Sequence, residues 1–140
     1  IPSQKLNGTG AVFLIDSGKT GSTAPMVSIF MEKMKSEGFR KMISTQFIKH
    51  TNLCVDSFLN GDVKNLFDNT KKLSKIVLDN FKPMIPDEFH DLWKKGIDSG
   101  SYFLKLCGSG GGGYILGFAP NIEQAKNDLK DYNLEVVYHF

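Results

Sequence analysis

The sequence predicts an α+β fold: an antiparallel sheet of about four strands with helices packed against it. Three observations lead there. The chain has 140 residues, enough for one compact domain with a sizeable core. Its segments run strand, four helices, strand, loop, strand, helix, strand, so they do not alternate as a doubly wound parallel sheet requires. Two strand-like runs also sit on either side of one short loop, which pairs them as neighbours.

Each element has a local reason. Gly10 to Asp16, with Val12–Phe13–Leu14–Ile15 at its centre, is a short continuous apolar run and reads as a buried strand. Ser17 to Ser22 is a polar turn. Thr23 is expected to cap a first helix, with Pro25 in its first turn. Met26, Val27, Phe30, Met31 and Met34 would form its inward face, and Gly38 would stop it. A second helix is expected from about Arg40 to Leu59, with Ile43, Phe47, Cys54 and Phe58 inward and Gly61 at its end. Asp62 caps a third, carrying Val63, Leu66, Phe67, Leu73, Ile76, Val77 and Phe81, with a break expected near Asn69 and a stop at Pro83. A fourth starts at Pro86, where Asp87 and Glu88 complement the helix dipole and Phe89, Leu92, Trp93 and Ile97 face inward. Tyr102 to Leu106 and Tyr114 to Ala119 are strands; a fifth helix follows Asn121, and Leu134 to Tyr138 closes the sheet.

Hydrophobic content of 41% and charged content of 23% fit a globular protein. A net charge of +2 is too small to point to nucleic acid or an anionic membrane, so neither is expected as a partner. No apolar run is long enough to span a bilayer, and no secretory signal is visible. Cys54 and Cys107 are expected as buried thiols rather than a disulfide, and the cytoplasm is the default compartment. The chain starts Ile1–Pro2 rather than with Met, and an apolar strand follows closely; we expect it to be the carboxy-terminal part of a longer protein.

The most informative stretch is Gly108–Ser109–Gly110–Gly111–Gly112–Gly113, where five of six residues lack a β-carbon. Such freedom is entropically costly, so a run inside a domain needs a reason. Three readings compete: a linker, an anion-cradling loop, or a tight seat for a neighbouring loop. The strand-like flanks speak against a linker. Gly108, Gly110 and Gly113 match the letters of a dinucleotide fingerprint, but that fingerprint must open a helix and here a strand follows. Gly18–Lys19–Thr20 invites a P-loop reading, yet the first glycine of that motif falls on Phe13. What remains is a polar turn at a helix N-terminus with Lys19, Ser22 and Thr23, a place suited either to an anion or to plain capping. Asp16 reads as a turn former, and His50, His90 and His139 lack metal-ligand spacing.

Lys105–Leu106–Cys107–Gly108 and the glycines that follow resemble the third, carboxy-terminal motif of the galactokinase, homoserine kinase, mevalonate kinase and phosphomevalonate kinase superfamily, abbreviated GHMP. Leu14 to Val27 is similar to the segment that opens the carboxy-terminal domain of its mevalonate kinase-like members, with Gly21 standing where an arginine is common. The resemblance covers nearly the whole chain. It implies a ferredoxin-like domain with helices on one face of the sheet. It also implies an ATP- and Mg2+-dependent kinase that phosphorylates a primary alcohol, most like mevalonate kinase.

In that family the amino-terminal half carries the phosphate loop, the catalytic aspartate and the groups around magnesium. The resemblance therefore implies no catalytic or metal-binding residue in this chain, tight ATP binding only in the full-length enzyme, and an inactive fragment. The expected partners are the amino-terminal half of the same kinase, the alcohol substrate and, through exposed apolar surface, a second copy in a homodimer. Gly108, Ser109, Gly110, Gly111, Gly112 and Gly113 would face the phosphate loop, and Lys19, Ser22 and Thr23 would lie on the substrate side. A Gly111→Val change is expected to harm activity more than fold. Two alternatives stand beside this reading: a superfamily member with a sugar or phosphomevalonate acceptor, and a stand-alone α+β interaction or regulatory module.

Overall fold

A computed structural model describes residues 1–140. Its four strands form one sheet: β1 (Ala11–Asp16), β2 (Phe103–Leu106), β3 (Tyr114–Ala119) and β4 (Leu134–His139). Their spatial order is β2-β3-β1-β4, and every neighbouring pair is antiparallel. The fold is therefore α+β with a four-stranded antiparallel sheet. The register decides where loops meet. Asp16 lies opposite Tyr114, and Leu106 opposite Ile115. The turn leaving β1 and the glycine loop joining β2 to β3 consequently share one end of the sheet.

Residues opposite one another in a ladder share a face. Phe13 opposes Gly117 and Ile15 opposes Ile115, so these residues point the same way. With Ala11, Leu104 and Ala119 they belong to the main core, which also takes in Phe89, Trp93 and Ile97 and, from the last helix, Ile122, Ala125 and Leu129. Phe13 has room because Gly117 lacks a side chain: a β-carbon there would fall 2.2 Å from the Phe13 ring. On the other face Val12 joins Leu66 and Phe140 in a smaller cluster, with Leu116 and Phe118 against it.

The helices keep the expected order, with local corrections. Helix α1 (Thr23–Lys33) is capped at Ser22, not Thr23, and the Ser22 side chain makes no capping hydrogen bond. It ends before Gly38, because Ser36 accepts the Phe39 N–H at 3.4 Å and starts α2 (Glu37–Met42), which contains Gly38. No residue of α1 is buried. Met26, Ile29 and Phe30 rest on the core, while Val27 and Met31 of the expected inward face are 48% and 59% exposed.

Helix α2 continues through a π-helical segment, Ile43–Phe47, into α3 (Ile48–Leu59). Gly61 follows with φ +69°, a left-handed conformation that suits glycine. Asp62 then caps α4 (Val63–Asn80) by accepting the Asn65 N–H at 3.2 Å. The expected break near Asn69 is absent. The Asn69 amide instead donates to Ser57 Oγ at 3.2 Å and ties α4 to α3. After α4 the chain makes two short 3-10 turns, Lys82–Met84, which contains Pro83, and Asp87–Phe89, and α5 (His90–Ser99) begins at His90 rather than Pro86. Trp93 is fully buried and its indole N–H donates to the Ser74 carbonyl at 3.0 Å, which fastens α5 to α4. Asn121 caps α6 (Ile122–Asp128) by accepting from Glu123 and Gln124. Cys54 and Cys107 are both free; Cys54 is buried as expected, whereas Cys107, where the glycine loop begins, is only partly buried. No helix is long and apolar enough to cross a membrane.

Candidate functional site

The turn Ser17–Ser22 and the loop Cys107–Gly113 form one unit. Asp16 accepts the Gly18 N–H at 2.9 Å, an Asx turn that bends the chain as it leaves β1. Ser17 is buried beneath this turn, and its Oγ accepts the Lys19 N–H at 3.3 Å. The turn then meets the glycine loop main chain to main chain. Gly113 donates to the Lys19 carbonyl at 2.7 Å, and Ser17 donates to the Gly113 carbonyl at 2.9 Å. Gly111 donates to the Met84 carbonyl at 2.6 Å, which binds the loop to the segment after α4 as well.

These contacts explain most of the glycines. A β-carbon on Gly110 would stand 2.7 Å from the Met84 oxygen, and one on Gly111 would stand 2.8 Å from the Met26 sulfur. Gly111 also has φ +81°, so a valine there strains the fold as well as the loop. Gly108 differs: it is exposed, with φ +59°, and a β-carbon added there would meet no atom within 4 Å. The loop is thus a tight seat for its own domain on one side and an open rim on the other. The N–H groups of Gly108, Ser109 and Gly112 have no acceptor in the chain. Adjacent unbonded amides of this kind are suited to a negatively charged group.

The structure brings the other sequence-selected residues to this rim. Lys19, Ser22 and Thr23 are exposed where α1 begins, next to Gly112 through the Thr20–Gly21 turn. Lys19 Nζ lies 3.9 Å from a Glu88 carboxylate oxygen, a partner the sequence did not reveal. Below the loop is an apolar cavity of about 240 Å³. Met26 and Phe30 of α1, Phe47, Phe81 and Met84 line it, and Gly108 and Ser109 stand at its edge. The histidines are elsewhere: His50 bonds to Gln46 and His90 to Lys82 and Ile85, all through backbone oxygens, while His139 Nδ1 is buried without a partner. No three His, Cys, Asp or Glu side chains gather in a way that would hold a metal ion.

No family model and no curated protein matches the chain by sequence. Solved structures do match it in shape. Streptococcus pneumoniae phosphomevalonate kinase, in complex with phosphomevalonate and AMPPNP, has a TM-score of 0.71 at 14% identity; 92% of this chain and 38% of that chain are covered. The Lin0012 protein from Listeria innocua has a TM-score of 0.71 at 15% identity, covering 98% of this chain and 42% of that chain. L. major mevalonate kinase, in complex with R-mevalonate, has a TM-score of 0.67 at 17% identity, covering 93% and 39%. The chain therefore spans about two fifths of the length of the structures it matches. Nearly all of it shares its four-stranded α+β fold with part of the phosphomevalonate kinase and mevalonate kinase structures.

Proposed function

We propose that this chain is the carboxy-terminal domain of an ATP-dependent small-molecule kinase, most like mevalonate kinase, acting on a primary alcohol. The observation that carries the reading is the joint unit of turn and loop on a kinase-like fold: unbonded amides at Gly108, Ser109 and Gly112 beside an exposed lysine and two exposed side-chain hydroxyls. Phosphoryl transfer needs positioning and charge stabilisation more than covalent chemistry from the protein. A loop rim without side chains meets that need by letting a second lobe and its nucleotide come close. In this reading Gly108 to Gly113 shape the phosphate side of the cleft, and Lys19, Ser22 and Thr23 reach the acceptor. Mg2+-bound ATP supplies the phosphoryl group, and the metal ligands and catalytic aspartate come from an amino-terminal half. Two free cysteines suit a cytoplasmic enzyme.

A phosphomevalonate acceptor is the second reading, because the S. pneumoniae phosphomevalonate kinase matches the chain in shape as well as the mevalonate kinase does. The test begins with the coding sequence upstream of Ile1. A strand, a Gly-Leu-Gly-Ser-Ser segment and a helix there support the proposal, and their absence overturns it. The longer protein is then assayed with ATP, Mg2+ and either mevalonate or phosphomevalonate, and the preferred acceptor separates the two readings. Turnover by the isolated chain would refute the division of labour between the halves.

A further inference from the structure

On the sheet face that carries Val12, Leu116 and Phe118 lies a second cavity, of about 320 Å³, whose far wall includes Cys54 and Leu73 of the main core. Cys54 and Phe58 of α3, Leu66 and Leu73 of α4, and Leu116 and Phe118 of β3 supply hydrocarbon walls. One charged group reaches it. Lys105 opposes Leu116 across β2 and β3, and so projects from the same face.

Lys105 lacks a counter-ion. It is half-buried, its Nζ donates to the Leu106 carbonyl at 3.2 Å, and it takes part in none of the chain's ion pairs. An ammonium set in a hydrocarbon wall with one carbonyl partner has donors to spare, and an anionic ligand would supply the acceptor and the opposite charge. The neighbouring thiol does not supply the charge, because burial pushes Cys54 up to about 11 and keeps it neutral. The two hydroxyls of the wall are committed as donors: Thr51 to the Phe47 carbonyl at 2.8 Å and Thr70 to the Phe67 carbonyl at 3.1 Å. The groove thus offers one strong donor. A phosphate, with up to two charges and three acceptor oxygens, calls for more than that; a carboxylate does not. Everything beyond the head group meets hydrocarbon, and Val55 and Leu59 continue the apolar wall to an exposed rim.

We propose that this groove binds a medium-chain fatty carboxylate, with its head group on Lys105 and its tail between α3, α4 and the sheet. Lys105 also borders the cavity below the glycine loop, so the head group would lie where the two cavities meet, and the tail assignment rests on the walls of the second one.

The test is calorimetric titration of the intact chain at neutral pH with octanoate, 1-octanol, octyltrimethylammonium and octyl phosphate. Octanoate is expected to fill one site about tenfold more tightly than 1-octanol, the effect of one charge-assisted hydrogen bond. Lys105→Met should lose that tenfold, while Lys105→Arg keeps it, with circular dichroism melts checking that both variants fold. Octanoate binding no tighter than 1-octanol, equal binding by the cationic amphiphile, tighter binding of octyl phosphate, or unchanged octanoate affinity in folded Lys105→Met would each overturn the proposal. If Lys105→Met does not fold, the four ligands on the unaltered chain still decide it.

Discussion

Gly112 and Gly21 touch main chain to main chain: a β-carbon on Gly112 would stand 2.8 Å from the Gly21 nitrogen and 2.9 Å from the Thr20 carbonyl carbon. Backbone cannot rotate away as a side chain does, so Gly112→Ala must part the loop from the turn. A cost of about 3 kcal/mol is expected, the upper part of the usual range for overpacking. Gly108→Ala meets open space and pays only for its left-handed backbone, about 1 kcal/mol. Urea unfolding of the two variants should show the larger loss in Gly112→Ala. The reverse order would mean that the loop does not rest on the turn.

Alkaline pH should weaken the fold in two steps. Burial pushes the Cys54 thiol from its ordinary 9.0 to about 11. Burial, then the negative charge of Asp128, pushes the Tyr102 hydroxyl from 10.0 to about 12, and that hydroxyl donates to the Leu92 carbonyl at 2.6 Å. Both folded values lie above the unfolded ones. Each contribution is complete below the unfolded value and is lost as pH rises through the folded value, at a cost on the order of 2 kcal/mol per group. Melting temperatures should therefore fall between pH 9 and 11 through Cys54, and between pH 10 and 12 through Tyr102. Cys54→Ala should flatten the first decline and Tyr102→Phe the second; a decline unaltered in both variants would remove these groups as its source.

Lys19→Ala should separate stability from function. Its pairing with Glu88 spans 3.9 Å between two exposed side chains, so the unfolding free energy should change by less than about 1 kcal/mol. In the longer kinase proposed above, the same change should raise KM for the acceptor more than it lowers kcat. An unaltered KM would take Lys19 off the substrate side.

The elements were legible where local chemistry decides them. Asp62 and Asn121 announce helix starts because short polar side chains satisfy free amides, and both do so here. Tertiary circumstances were harder to read. The apolar residues of α1 repeat at helical spacing, but periodicity does not say whether anything covers the stripe, and Val27 and Met31 are left exposed. Asn69 reads as a breaker until its partner, Ser57 on the preceding helix, is known. Gly38 reads as a stop, although Ser36 has already restarted the helix ahead of it. At the site, composition pointed to the glycine run, and the strand-like flanks placed it between paired strands. That Gly113 binds Lys19 and that Glu88 faces Lys19 depend on segments far apart in the sequence, which spacing does not reveal.

The π-helical stretch Ile43–Phe47 has its own consequence. A wider turn accommodates a surplus residue, and each residue rotates a helix by about 100°. The surplus sets the phase in which α3 meets the sheet, with Cys54 and Ser57 turned inward and Ile48, Val55 and Leu59 outward. Deleting one residue there would regularise the helix yet swing that outer stripe toward the sheet. This stretch should therefore tolerate exchange of side chains far better than any change in its length.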